Sequence, residues 1–213
     1  MVYGMVKAWT VLVLMMIVLV SAGCLDTLMG KPETKPQTLQ PTTLPTTENP
    51  SSTVQPSDMA LQLADLPSDY ILRDRSVMVS PEVAELTRDL SWRQGYFVAF
   101  SRTNEDNRDD FTRIRQSISI FPLENMKRVF DLEKIDIESQ AVSPQIQSEI
   151  PFPVTGDYSR VYRLTDPTDA MKQVTYTVIF TKKNVYEKII MTGTTTDYEV
   201  LKDIVQKAAA KIH

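Results

Sequence analysis

Few side chains in this chain can do covalent or acid–base chemistry, and their spacing decides which kinds are open. There is one cysteine, Cys24, and one histidine, His213, the last residue. Ser-His-Asp and Cys-His catalysis need a positioned imidazole, and common zinc sites are built from His and Cys. The interior of the chain supplies neither. None of the six glycines falls in a phosphate-cradling loop. Glycoside hydrolysis needs two carboxylates set a fixed distance apart across a cleft, and nothing singles out a pair among the 27 acidic residues. The densest polar run, Asn104-Glu105-Asp106-Asn107-Arg108-Asp109-Asp110, contains the ligand types that calcium takes. It lacks the glycine of an EF-hand loop, carries Arg108 in its middle and joins two expected strands, so it reads as a solvated hairpin loop. No metal and no cofactor are expected. Trp92, Tyr96 and Phe97 could line a ligand groove, although aromatics beside a strand are more often core. Cys24 then carries the one thiol of the chain.

What positions Cys24 is the segment before it. Lys7 gives a short positive n-region, Val11 to Val20 are apolar without interruption, and Ser21-Ala22-Gly23 are small. That order is a secretory signal. Its small residues directly ahead of a cysteine resemble the lipobox of prokaryotic lipoproteins, with Ser21 standing where that pattern prefers a large aliphatic. The resemblance implies cleavage after residue 23, a lipid on Cys24 and a chain tethered to the outer face of the cytoplasmic membrane. Two alternatives stay open: an uncleaved anchor, short against the roughly 20 residues that span a bilayer, and a buried helix, which would be expected to show a polar face.

From residue 31 to 58 the chain has seven Thr, three Ser and six Pro and almost no large aliphatics. Such a composition cannot bury enough apolar surface to offset its ordering entropy. Prolines favour extended polyproline II, so at about 3.1 Å per residue the segment could reach roughly 85 Å. Residues 24–58 are therefore expected to be a lipidated N-terminus and a disordered Thr/Pro-rich linker, followed by a globular domain at 59–213. With no second cysteine, that domain has no internal disulfide and depends on its core; its length is ample for one.

Within the domain, Tyr70-Ile71-Leu72 suggests a short strand. Ser80 and Pro81 suggest the start of a helix with Val83, Leu86 and Leu90 on one face. Gly95 opens a strand. In the next one, Ile114, Ile118 and Ile120 face one way while Arg113, Arg115, Ser117 and Ser119 face the other, which predicts one wet side. Pro122 starts a second helix with Leu123, Met126, Val129 and Phe130 at helical spacing. Residues 172–192 read as an antiparallel hairpin turning at Lys182-Lys183-Asn184. In the last helix Thr196 and Glu199 form a capping box, and Leu201, Ile204, Val205, Ala208 and Ile212 form one apolar stripe. The fold class is α+β: an antiparallel sheet of about five or six strands with packed helices.

This layout resembles the Mog1/PsbP-like group. The likeness is carried by Leu63-Ala64-Asp65-Leu66-Pro67 at the domain start, Gly156-Asp157-Tyr158-Ser159 entering a strand, Asn184-Val185-Tyr186, and the closing Ala208-Ala209-Ala210-Lys211-Ile212. It implies a binding or accessory module, often at a membrane-associated complex, without shared catalytic residues. The signal and linker are also similar in style to archaeal surface proteins.

The net charge is −4. Pairs such as Arg73/Arg75 and Lys182/Lys183 read as solvated strand or turn positions, and no basic cluster suggests nucleic acid. The long stretch 139–158, with three prolines and Gly156, is uncommon as a structureless loop in a compact domain. Gln145, Ile146, Gln147, Ser148 and Glu149 are accordingly expected to form a recognition loop for a protein partner at the cell surface. The expected role is a non-enzymatic, membrane-tethered binding or accessory module; the alternative is an extracytoplasmic hydrolase using a carboxylate pair. Two buried carboxylates in one cleft would separate them.

Overall fold

The computed structural model describes residues 55–213. The expected signal at 1–23, Cys24 and the expected linker up to residue 54 lie outside the described residues. The domain is α+β, with one seven-stranded sheet in the order β1-β2-β3-β7-β6-β5-β4, antiparallel throughout. The strands are β1 Ile71–Met78, β2 Gln94–Thr103, β3 Phe111–Ile120, β4 Ile146–Glu149, β5 Tyr158–Thr165, β6 Val174–Lys182 and β7 Val185–Gly193. Helices are α1 Pro56–Met59, α2 Glu85–Arg88, α3 Met126–Ser139 and α4 Tyr198–Ala210. No helix among the described residues is long and apolar enough to cross a membrane.

Side chains alternate across a strand, and here the two faces carry separate cores. On the first face, Val98, Phe100, Ile114, Ile118, Val178, Phe180, Ile189 and Met191 meet Leu201, Ile204, Val205 and Ala208 of α4. The expected stripe of α4 is buried in full. Beside α4 on the same face lie Met59, Ala60 and Leu61. Pro56 is already buried, so packing begins ahead of Met59. This N-terminal segment is clasped to α4: Lys211 Nζ donates to Ala60 O at 3.0 Å and to Asp65 Oδ2 at 2.6 Å, and Lys207 Nζ donates to Asp65 O. Leu61 N also donates to Gln116 Oε1 of β3.

On the second face, Tyr162, Ile179 and Tyr186 pack against Met126, Val129, Phe130 and Ile137 of α3, with Val83 and Leu90 alongside. This layer covers only one end of the sheet. Beyond it, the second face presents Ala99, Ser101, Arg113, Arg115, Thr175, Thr177, Ile190 and Thr192, placed there by strand register. The arginines are exposed and all but Ser101 of the remainder half-buried.

Several expectations are corrected. The sheet has seven strands because the stretch at 145–149 pairs as well. Residues 80–90 make a single helical turn, α2, with Ala84 and not Ser80 as its N-cap; Val83 and Leu90 are buried against α3, while Leu86 is 71% exposed. The wet side of β3 ends at Arg115: Ser117 and Ser119 are buried, and Ser117 Oγ donates to Glu82 of the segment that folds over it. Leu123 sits exposed in a 3-10 turn ahead of α3. The cap of α4 is Asp197, which accepts from the backbone N–H of Glu199 and Val200; a carboxylate there also suits the positive end of the helix dipole.

Candidate functional site

Four of the five residues expected to form a recognition loop, Ile146, Gln147, Ser148 and Glu149, are strand β4, with Gln145 directly before it. The strand pairs with β5 through Ile146↔Thr165 to Glu149↔Tyr162, and Gln147 Nε2 holds Ile137 O of α3. The surface is therefore a sheet edge and not a loop. The run 104–110 is a hairpin loop between β2 and β3, closed by Asn104 N to Asp110 O and by turns in which Asn104 and Asn107 side chains accept from Asp106 N and Asp109 N. Among the described residues no cluster of His, Cys, Asp or Glu has the arrangement of a metal site. Tyr96 and Phe97 are consecutive on β2 and so point to opposite faces; the three aromatics therefore do not line one groove, and Trp92 packs beside the second core.

Among the described residues two carboxylates are fully buried, Glu133 and Glu187. Glu133 of α3 accepts from Ala84 N, Thr87 Oγ1, Tyr186 Oη and Lys188 Nζ. Burial, together with this carboxylate, pushes the Tyr186 phenol well up. A buried ion so fully satisfied pins α2 and α3 to β7. Glu187 of β7 lies in the other core, where Gln116 Nε2 donates to it at 2.8 Å and its second oxygen has no partner. Burial pushes its pKa up to about 8, against the opposing pull of the Gln116 hydrogen bond and the Lys211 charge. Neighbouring register positions put Tyr186 and Glu187 on opposite faces. The two acids are thus separated by the sheet and do not share a cleft.

The concave feature with convergent polar groups lies elsewhere, on the uncovered end of the second face. It is a groove of about 680 Å³ lined by Arg73, Arg108, Arg113 and Arg115, with Ala99, Ser101 and Phe111 among its other residues. Arg102 also borders it, but register puts its side chain on the first face, where its Nε donates to Thr112 Oγ1. Among the described residues no Asp or Glu lines the groove. Its floor is small by register: Ala99 lies opposite Arg115, and Ser101 opposite Arg113. Arg73 reaches it from the sheet edge through an irregularity in β1. Leu72 pairs with Phe100 and Asp74 with Ala99, so Arg73 is the extra residue of a bulge, and its Nε donates to Ser101 Oγ at 2.6 Å. Bulges of this kind re-aim a side chain. Arg113 stands over the Phe111 ring at 5.1 Å and Arg115 over Phe97 at 5.3 Å. Arg102 is committed to Asp69, Thr195 O and the Tyr70 ring, and Arg115 has Glu82 at 3.6 Å. Among the described residues no carboxylate lies within ion-pair distance of Arg73, Arg108 or Arg113.

The sequence pattern showed Arg113 and Arg115 as a wet strand face but gave no sign of a site. Arg73 was set aside as a solvated strand position, and only the non-local pairing of β1 with β2 brings it to the other two.

No family model matches the chain, and no curated protein matches it. Among solved structures it is similar to the extracellular domain of PknH from Mycobacterium tuberculosis, with a TM-score of 0.53 at 9% identity, over 73% of this chain and 93% of that one. At that identity the likeness is one of fold.

Proposed function

We propose that this chain is an extracytoplasmic binding module, held at the outer membrane face by a lipid on Cys24, spaced from it by the Thr/Pro-rich segment, and without chemistry of its own. The observation that supports it best is the uncovered end of the sheet: a groove rich in guanidinium groups, with no Asp or Glu among the described residues in its lining, suits the holding of a ligand. The separation of Glu133 from Glu187 supports this reading, because a carboxylate-pair hydrolase would hold two acids across one cleft. The fold shared with the extracellular domain of PknH supports an extracellular setting. Kinship with the Mog1/PsbP-like group belongs to the same proposal, as does partner recognition by Gln145–Glu149, now as the outer edge of β4, where an extended segment could add a strand.

Mass spectrometry of the protein from native membranes is expected to find residue 24 as the N-terminus carrying a diacylglyceryl mass. Cys24→Ser is expected to leave an unprocessed precursor or a released chain. An intact Met1 or an unmodified Cys24 would overturn the tether, and turnover of a glycan or peptide by the purified chain would overturn the non-catalytic reading.

A further inference from the structure

We infer that the arginine groove binds a small polyanion, an organic molecule carrying two or more phosphate or carboxylate groups. This rests on the reading of the chain as a binding module and names what it would bind. The chain has 27 acidic and 23 basic residues, yet the groove gathers the side chains of four arginines, Arg73, Arg108, Arg113 and Arg115, and no Asp or Glu among the described residues lines it. Like charges on neighbouring strand positions repel, and here the cost is only partly relieved, by Glu82 at Arg115. Arg73, Arg108 and Arg113 await a counter-charge.

The choice of residue points to oxyanions. Every cation in the lining is an arginine, whose planar fork matches carboxylate and phosphate in bidentate fashion where lysine offers a point charge. Stacking of Arg113 and Arg115 on Phe111 and Phe97 fixes the guanidinium planes and leaves their in-plane N–H groups to donate. Ser101 accepts from Arg73, so its own O–H is left to donate, and it has no acceptor among the described residues. The bulge that inserts Arg73 gives an independent sign that this corner is arranged for contact.

Size comes from the boundaries. Arg108 from the β2–β3 loop, and Met171 and Gln173 from the β5–β6 connection, contribute to the lining, so two loops limit the groove. Its volume falls in the range of small-molecule sites, about 300–1,000 Å³. Phe111 and Met171 give an organic ligand an apolar contact that a bare inorganic ion would leave unused.

Calorimetric titration of the full chain in detergent would use citrate and pyrophosphate as soluble probes and orthophosphate as the single-anion comparison; co-sedimentation after removal of the detergent, with vesicles of phosphatidylglycerol or phosphatidylcholine and with wild type against Arg73→Gln, would separate a free anion from a lipid headgroup. Citrate or pyrophosphate is expected to bind more tightly than orthophosphate, with affinity falling as salt is raised. Arg73→Gln and Arg113→Gln are each expected to weaken it by about tenfold or more, while Arg88→Gln, on α2 outside the groove, leaves it unchanged. Arg113→Lys, which keeps the charge and is expected to fold, should recover only part of the loss; circular dichroism of each variant reports folding. The inference is overturned if neither soluble polyanion binds, if binding survives both Gln substitutions in folded protein, or if only the anionic vesicles bind. None of those outcomes alters the processing at Cys24 or the absence of turnover, which test the binding-module reading separately.

Discussion

Glu187 makes the stability of this domain depend on pH in a direction opposite to that of most carboxylates. In the unfolded chain its carboxyl ionises near the ordinary value of 4.5, whereas in the fold burial holds the proton until about pH 8. Between those values the folded state carries a proton that the unfolded state has lost. Its contribution is therefore fully present below about pH 4.5, is lost as pH rises, and is gone above about pH 8. At about 1.4 kcal/mol per pH unit, the loss from pH 5 to pH 8 comes to about 3 kcal/mol. Glu187→Gln keeps the shape of the protonated acid and the hydrogen bond with Gln116 but cannot ionise. Urea unfolding of both proteins at pH 5 and pH 8 is the assay, because groups that titrate in both, such as Asp65, cancel in the difference. The variant is expected to gain about 3 kcal/mol on the wild type between pH 5 and pH 8. A stability difference that stays constant across that range, within about 0.5 kcal/mol, would refute the reasoning and mean that water or Lys211 reaches the ionised carboxylate.

Glu133→Ala removes one acceptor from four donors and leaves Lys188 beside an empty, buried position; a loss of about 3–5 kcal/mol is expected by chemical denaturation. Asp197→Ala is expected to cost about 1 kcal/mol, while Thr196→Ala costs a few tenths; the reverse order in thermal melts would return the cap of α4 to Thr196.

The elements that were legible in the sequence are those whose burial follows their own period. Val174, Tyr176, Val178 and Phe180 alternate, and β6 with β7 pairs as that alternation predicts. The stripe of α4 repeats at helical spacing and is buried throughout. Illegible elements take their burial or pairing from distant partners. Strand β4 has little apolar pattern and exists because its backbone pairs with β5. Val83 and Leu90 mimic a helical face, yet each is buried by α3 and only one turn of helix lies between them. Ser117 and Ser119 look like solvent positions yet are buried, and Ser117 is met by Glu82 of the segment that returns over the sheet. Thr196 and Asp197 are both good caps, so residue type could not set the phase of α4. The arginine groove was half visible, as a polar strand face at Arg113 and Arg115; its third member depends on a one-residue slip in the pairing of β1, which leaves no trace in composition.

The clasp between the N-terminal segment and α4 has a mechanical consequence. Tension drawn along the chain upstream of Gln55 enters the domain at Pro56–Leu66, where Met59, Ala60 and Leu61 are buried and Lys211 holds Ala60 O and Asp65. Strand β1, an edge strand that could unzip one hydrogen bond at a time, begins only at Ile71. The load is thus taken up first by the last helix of the chain, across contacts that must yield together, before any of it reaches the edge of the sheet. The groove on the opposite face, whose geometry depends on the register of β1 with β2, is in this way shielded from a pull on the chain that precedes it.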